Sequence, residues 1–246
     1  MSEIRMFKYL DLETCSSCNR VCPTCIRNSH PDRKEIASWF EPNYLPIPII
    51  KEALNQCDDM GFHGSICLSH YNEPLMDERL PEIARLAKSY AFESVFFNSN
   101  GDYITKDLAK ELDGKVDKII FSLYMEEPIK SQRKYWIESL FKKTEAIVNT
   151  QTDHIATHFS PKFDVALLAE QNKGNPCGEA EIRVIINHRR QYLLCCDDVV
   201  GNFDLGTFPE TSIEDFWFGE KHTQIALNLR NPGGRLNYPY CSTCPR

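Results

Sequence analysis

Three cysteines near the start of the chain are the residues best suited to do chemistry. Cys18, Cys22 and Cys25 are separated by three and then two residues, and they follow a short apolar run at residues 6–10. Thiolates this close together can converge on one soft metal centre, and three of them can hold a four-iron cluster that leaves one iron without a protein ligand. The spacing therefore predicts an iron–sulfur centre with one open iron.

A zinc site and disulfides are the alternatives for these thiols. Together with Cys15, the three cysteines form two C-x2-C pairs, which can make a tetrahedral zinc site, although zinc ribbons usually separate such pairs by a longer loop. Disulfides are disfavoured because the first residues contain charged side chains and no apolar leader. Eleven cysteines without an export signal indicate a reducing compartment and metal thiolates, with Cys15 as a spare thiol.

At these residues the chain resembles the radical S-adenosylmethionine (SAM) superfamily. The family signature C-x3-C-x2-C, in the variant C-N-x-x-C-x-x-C, covers Cys18 to Cys25, and Thr14 fits the family's lead-in. The resemblance implies a [4Fe-4S] cluster on the three cysteines, SAM on the open iron, and a 5′-deoxyadenosyl radical that removes a hydrogen atom from a substrate. One departure is Thr24, which stands where the family commonly has an aromatic residue.

Strand and helix patterns alternate from residue 1 to about residue 165. The strand patterns lie at residues 6–10, 64–70, 94–98, 118–123 and 154–159, and the helical patterns at 47–60, 77–90, 105–112 and 129–150. This alternation predicts parallel strands joined by right-handed crossovers. We expect an α/β fold with a partial (β/α)6-type barrel, whose functional residues lie at the carboxyl ends of its strands.

Polar motifs follow three of the predicted strands. Residues 69–75 resemble the family's G-G-E-P-L motif, which implies that Glu73 and the neighbouring Asn72 bind the amino group of SAM; a plain helix entry at Pro74 is the alternative. Ser99 and Asn100 stand in a turn that resembles the family's T-N-G, although Asn-Gly is also ordinary turn chemistry. Similarly, Ser122 resembles the serine of the family's S-L-D segment, which contacts SAM.

The sequence does not identify the general base. His158 and Lys162, at the end of the fifth predicted strand, are weak candidates for a proton acceptor or a substrate anchor. Polar residues at such positions are more often surface contacts.

The pattern changes after a polar linker at residues 170–176. A hairpin is predicted at residues 181–186 and 191–196, followed by a helix with Ser212 as its N-cap. We therefore expect two domains, a radical SAM partial barrel at residues 1–165 and a small α+β hairpin domain at residues 166–246.

Four further cysteines lie in this second region, at Cys177, Cys195, Cys241 and Cys244. The arrangement resembles the twitch domain, a shortened SPASM domain, which implies an auxiliary [4Fe-4S] cluster. Because adjacent strand residues point to opposite faces, only one of Cys195 and Cys196 can be a ligand, and Cys195 takes the family's position. A zinc knuckle is the alternative for the quartet.

The composition and net charge of the chain limit the kinds of partner that it can bind. A net charge of −7 argues against a stable nucleic-acid partner, and no run is apolar enough to span a membrane, so a cytoplasmic protein is expected. The resemblance implies a small-molecule substrate and a flavodoxin or ferredoxin as electron donor.

The predicted function is hydrogen abstraction from a small polar substrate, ending in a two-electron oxidation. Small family members with a twitch domain include an oxidoreductase that acts on an alcohol of an aminocyclitol. Two alternatives stay open: a radical SAM epimerase or cross-linking enzyme acting on a peptide or nucleoside, and a non-enzymatic zinc-binding module. The substrate and the oligomeric state are not predicted.

Overall fold

The structure is a computed structural model that describes residues 4–30, 36–149, 158 and 161–246. Its strands are β1 (Tyr9–Leu12), β2 (Ser65–Cys67), β3 (Ser94–Ser99), β4 (Lys118–Ser122), β5 (Glu145–Asn149), β6 (Arg183–Ile186) and β7 (Tyr192–Leu193). They form one sheet in the order β5-β4-β3-β2-β1-β6-β7. Neighbouring strands are parallel except β6 and β7, which are antiparallel.

Helices connect and cover these strands. They are α1 (Ile26–Ser29), α2 (Ile47–Asp59), α3 (Leu80–Ala87), α4 (Lys106–Leu112), α5 (Ile129–Leu140), α6 (Val165–Asn172), α7 (Ile213–Phe218), α8 (Glu220–Leu229) and α9 (Pro239–Ser242). The predicted α/β class, built on parallel strands with helical crossovers, is confirmed. Among the described helices, none is long and apolar enough to cross a lipid bilayer.

The two faces of the sheet differ in chemistry because side chains alternate along each strand. One face is apolar and buried against the helices, and it includes Leu10, Leu12, Ile66, Val95, Phe97, Ile119, Phe121, Val184 and Ile186. The other face surrounds a cavity and carries Tyr9, Asp11, Ser65, Cys67, Ser94, Phe96, Asn98, Lys118, Ile120 and Arg183. Burial of the first face holds the fold together, which leaves the second face available for a site.

The single helix predicted at residues 129–150 is wrong in its second half. Helix α5 ends at Leu140, and β5 follows and pairs with β4. The Asp113 carboxylate accepts hydrogen bonds from the backbone N–H groups of Lys142, Lys143 and Thr144, which fixes the chain in a turn rather than a helix. The strand predicted at residues 154–159 lies outside the described residues except for His158.

The predicted hairpin is present as β6 and β7, and β6 also pairs in parallel with β1. Its second strand ends at Leu193, so the prediction that Cys195 and Cys196 are strand residues is wrong, and both lie in the turn that follows. Strand β6 is therefore the sixth parallel strand of the sheet as well as the first strand of the hairpin. The Asn187 side chain forms the turn by accepting hydrogen bonds from the backbone N–H groups of Arg189 and Gln191. The sheet thus continues past residue 165, and the division into domains 1–165 and 166–246 stays a prediction.

Candidate functional site

The three cysteines of the signature line one cavity, here called the triad cavity. It measures about 360 Å³ and is also lined by Arg20, Thr24, His70, Tyr71, Asn72, Glu73, Asn98, Ser99, Asn100, Ser122, Tyr124 and Arg246. Cys18, Cys22 and Cys25 lie between β1 and α2, and most of the other lining residues lie at or just after the carboxyl ends of β2, β3 and β4. Parallel strands end at the same edge of a sheet, which explains why residues distant in sequence meet here.

Side-chain contacts fix the cysteine loop independently of the thiols. Arg20 makes a bidentate ion pair with Asp102, at 2.7 Å from Nε and 2.6 Å from Nη2. Asn19 Nδ2 donates to the same carboxylate at 2.7 Å, and Asn100 Nδ2 donates to Asn19 Oδ1 at 2.8 Å. The loop is therefore tied to the turn after β3, where Gly101 has a positive φ of 74°.

Glu73 connects the turns that follow β2 and β3. Its carboxylate accepts hydrogen bonds from the Asn100 backbone N–H at 2.7 Å, from Ser99 Oγ at 2.7 Å and from the Leu75 backbone N–H at 3.0 Å. Burial raises the pKa of Glu73, against these hydrogen bonds, which favour the ionised form. The motif is thus a capped entry to the 3-10 turn Pro74–Met76 and part of the cavity wall at the same time.

The other predicted cofactor-binding residues also line the triad cavity. Asn72 Oδ1 accepts from the His70 backbone N–H at 2.9 Å, while its Nδ2 lies 3.4 Å from Thr14 Oγ1. Ser122, the last residue of β4, also lines the cavity, as does Tyr124. The structure therefore brings together every residue predicted to contact SAM, and their binding role stays a prediction.

A second cavity, here called the lumen cavity, measures about 680 Å³ and is lined by the polar face of the sheet. It shares His70, Tyr71, Asn98 and Arg246 with the triad cavity. The sequence contains little indication of this cavity, because a polar residue such as Asp11 between two leucines indicates only the alternation of a strand.

The second group of cysteines lines a third cavity, here called the quartet cavity, of about 230 Å³. All four predicted ligands, Cys177, Cys195, Cys241 and Cys244, contribute to its wall, and so does Cys196. Burial, with the neighbouring cysteines, raises the pKa of Cys241 to about 12. Thiols gathered in this way release protons when a metal binds them, so the group is chemically suited to a closed metal–thiolate centre.

Cys195 and Cys196 have different surroundings. Arg246 Nη1 donates a hydrogen bond to Cys196 Sγ at 2.9 Å, and Cys196 lines the lumen cavity as well as the quartet cavity. Cys195 lines the quartet cavity and neither of the other two cavities. This favours Cys195 as the ligand, and the choice stays a prediction.

The two candidate bases lie away from the first two cavities. His158 lines the quartet cavity, where its Nδ1 contacts Asp197 and its Nε2 lies 2.8 Å from the Tyr240 carbonyl oxygen. Ligand atoms of His158, Asp197 and Cys244 lie within 4.8 Å of one another, so these residues form a second set of potential metal ligands. Lys162 is exposed and lines none of the three cavities.

Arg246 is a site residue that sequence reasoning missed. It lines all three cavities, and its Nη2 lies 3.8 Å from Asp197 Oδ1 in addition to the contact with Cys196. Cys196 and Asp197 are about fifty residues away from Arg246 along the chain, so no local sequence motif could predict these contacts.

His70 makes the stability of this region depend on pH. Burial lowers its pKa to about 4, although the nearby Glu13 and Asp197 favour the charged form and Arg183 and His188 oppose it. Because this pKa lies below the unfolded value of 6.5, the unfolded state binds the proton more readily, and stability falls as the pH drops from about 6.5 towards 4. We expect His70→Asn to relieve up to about 2 kcal/mol of that loss at about pH 5.

Thermal unfolding of the wild type and His70→Asn at about pH 7.5 and about pH 5 measures this effect. The exposed His63 offers a matched control, because His63→Asn removes an imidazole that is not enclosed. A difference in Tm between the wild type and His70→Asn that is the same at both pH values would contradict the prediction.

The sheet, the three-cysteine loop after its first strand and the polar turns at the strand ends form the arrangement that the resemblance to radical SAM enzymes predicts. No protein-family model matches the chain. Comparison with known proteins nevertheless finds a SAM-dependent dehydrogenase among the relatives, which supports the prediction of an enzyme of this kind, and solved structures that share the fold.

One relative in particular matches almost the whole chain. It is the S-adenosyl-L-methionine-dependent 2-deoxy-scyllo-inosamine dehydrogenase of Niallia circulans, which is 24% identical over 98% of this chain and 93% of its own length. A crystal structure of BtrN in complex with AdoMet and 2-DOIA has a TM-score of 0.76 at 19% identity, covering 98% of this chain and 94% of that one. A structure of anSMEcpe with bound AdoMet has a TM-score of 0.55 at 14% identity, covering 96% and 84%.

Proposed function

We propose that this chain is a radical SAM dehydrogenase that oxidises an alcohol of a small polar molecule. One observation supports this most directly: the lumen cavity shares walls with both cysteine-lined cavities, through His70, Tyr71 and Asn98 on one side and Cys196 on the other. A substrate in the lumen cavity would then lie between a centre that starts a radical reaction and a centre that can accept an electron.

Two [4Fe-4S] clusters and SAM are the proposed cofactors. Cys18, Cys22 and Cys25 would hold the first cluster, and the donor set fits because three thiols on one loop share a cavity with the polar strand ends. Four of the five cysteines that line the quartet cavity, Cys177, Cys195, Cys241 and Cys244, would hold the second cluster without an open position. When bound, the first cluster and SAM supply a 5′-deoxyadenosyl radical that abstracts hydrogen from the substrate.

The protein's own residues shape the SAM site. Glu73 holds the turns after β2 and β3 in place, so that Ser99 and Asn100 face the cysteine loop. We assign SAM contacts to Asn72, Glu73, Ser99, Asn100 and Ser122, which line the triad cavity. The Arg20–Asp102 ion pair holds the loop in register with these turns. The chain thereby orients the cofactor and selects the hydrogen that is removed, while the cofactor provides the reactivity.

The partners of this activity are part of the proposal. The proposed substrate is a small molecule, and a flavodoxin or ferredoxin would deliver the electron that the first cluster needs. Such low-potential donors imply a cytoplasmic enzyme.

Anaerobically purified protein tests the proposal. We expect about eight irons with equal sulfide per chain, and release of 5′-deoxyadenosine from SAM when a reductant is supplied. With 2-deoxy-scyllo-inosamine, the substrate class of the relative, we expect one ketone formed per 5′-deoxyadenosine. Two zinc ions per chain and no SAM cleavage would establish a structural zinc module, and an isomerised rather than oxidised product would establish an epimerase.

A further inference from the structure

Buried polar atoms without a hydrogen-bond partner converge on the lumen cavity. Within the described part of the chain, six buried side-chain nitrogen or oxygen atoms lack a partner, and four of them belong to residues that line this cavity: Asp11 Oδ1, His70 Nε2, Ser94 Oγ and Arg183 Nε. Buried polar groups are almost always paired in folded proteins. Four such atoms around one space indicate that a polar ligand completes their hydrogen bonds.

Asp11 is the most informative of these residues. Its side chain is 3% exposed, and Oδ2 accepts a hydrogen bond from Arg183 Nη1 at 2.8 Å, whereas Oδ1 accepts none. Burial raises the pKa of Asp11 to about 6, against the attraction of Arg183. The protein thus keeps a carboxyl group where ionisation is costly, with one oxygen left open to a ligand.

A second buried aspartate shows what a structural pair looks like in the same protein. Asp77 also faces an arginine, and Arg79 donates to it from its backbone N–H at 3.0 Å, from Nε at 2.9 Å and from Nη2 at 2.8 Å. Both Asp77 oxygens are therefore satisfied within the described residues, and the residue lines none of the three cavities. Asp77 thus serves the fold, whereas Asp11 keeps one oxygen that a ligand can use.

The other walls of the cavity narrow the chemistry of the ligand. Two carboxylates, Asp11 and Glu93, and three cationic side chains, Lys118, Arg183 and Arg246, line the cavity, so its net charge does not select the ligand. The unpaired Asp11 Oδ1 does, because a carboxylate oxygen accepts hydrogen bonds from hydroxyl or ammonium donors and repels a phosphate. Ser94 and Arg183 can donate to hydroxyl oxygens. Tyr9 and Phe96, with ring centroids 6.2 Å apart, offer an apolar surface for the carbon skeleton of a ring.

We infer that the lumen cavity is the substrate site and that Asp11 anchors the substrate, a small compound with several hydroxyl groups and either no charge or an ammonium group. The inference rests on the proposed function, and it adds the residue that determines substrate class. In this cavity such a molecule shares the walls with His70 and Asn98, which also line the triad cavity. That position brings it to the wall shared with the proposed SAM site.

The inference is tested by calorimetric measurement of how tightly small-molecule probes bind to the anaerobic holoprotein in the presence of SAM. The probes are 2-deoxy-scyllo-inosamine, myo-inositol and myo-inositol 1-phosphate, and the variants are Asp11→Asn and Asp77→Asn. We expect the aminocyclitol or the neutral polyol to bind more tightly than the phosphate ester. Asp11→Asn should weaken that binding at least about tenfold, the loss of a charge-assisted hydrogen bond, and Asp77→Asn should leave it unchanged.

Thermal unfolding of the same variants gives an independent readout. The pKa of Asp11 in the folded protein lies above its ordinary value of 3.8, so stability is lost as the pH rises through about 6, and at about pH 8 the ionised group destabilises the fold. Asp11→Asn should therefore keep or raise the Tm at about pH 8. Asp77→Asn should lower it, because it breaks a satisfied pair.

Three outcomes overturn the inference: tightest binding of the phosphate ester, no binding of any probe at millimolar concentration, or unchanged affinity in Asp11→Asn. Failure of the proposed function is seen separately, in the wild type without probe. A holoprotein that never releases 5′-deoxyadenosine refutes the radical SAM activity, whereas the binding measurements report on the cavity regardless.

Discussion

Replacing Cys18, Cys22 and Cys25 by alanine is expected to reduce SAM cleavage to the background level and to remove about four of about eight irons per chain. The effect should be specific to the cluster, because the loop is fixed by Arg20 and Asn19 through Asp102, and not by its thiols. Iron and sulfide analysis and the release of 5′-deoxyadenosine measure the result. The second centre should keep its iron, since its cysteines line a different cavity.

Cys15 provides the matched control for this experiment. It is buried beside the signature, its Sγ lies 3.5 Å from Asn72 Nδ2, and it does not line the triad cavity. Cys15→Ser keeps a hydrogen-bonding atom at that position and should keep full iron content and SAM cleavage. Loss of metal in Cys15→Ser as well as in the triple variant would point to a four-cysteine site, and an undiminished iron content in the triple variant would refute the assignment.

The sequence predicted the parts of the fold that repeat a simple pattern. Alternation of strands and helices predicted a parallel sheet, and the helical pattern at residues 77–90 is present as α3, on which Leu80, Ile83, Ala84 and Ala87 are buried. The turn after β3 was recognised from Asn100-Gly101, and its glycine has the positive φ that such a turn requires. Local chemistry decides these features, so they can be read from adjacent residues.

Features decided by distant contacts were missed. The end of α5 and the start of β5 depend on the Asp113 carboxylate, about thirty residues earlier, which binds the backbone N–H groups at 142–144. The dual role of β6 depends on its parallel pairing with β1, which no residue of the hairpin encodes by itself. For the same reason the signature cysteines were identified from spacing, whereas Asp11 and Arg246 became visible as site residues only through the cavities that they line.

Cys195→Ala and Cys196→Ala are expected to differ sharply in iron content. Both thiols line the quartet cavity, but Cys196 also lines the lumen cavity and so lies at the edge of the group. Cys196 Sγ accepts a hydrogen bond from Arg246 Nη1, whereas Cys195 lines only the quartet cavity among the three cavities. Cys195→Ala should therefore lose about four irons, and Cys196→Ala should keep about eight.

The difference is clearest in a chain that lacks the first cluster. With Cys18, Cys22 and Cys25 already replaced by alanine, the remaining iron and its electron paramagnetic resonance signal report only on the second centre. Loss of that signal in Cys196→Ala with retention in Cys195→Ala would reverse the assignment. That outcome would require the Arg246 guanidinium to lie against a cluster ligand, and Arg246 would then act on the electron acceptor itself, because a cation beside a thiolate ligand stabilises the reduced cluster.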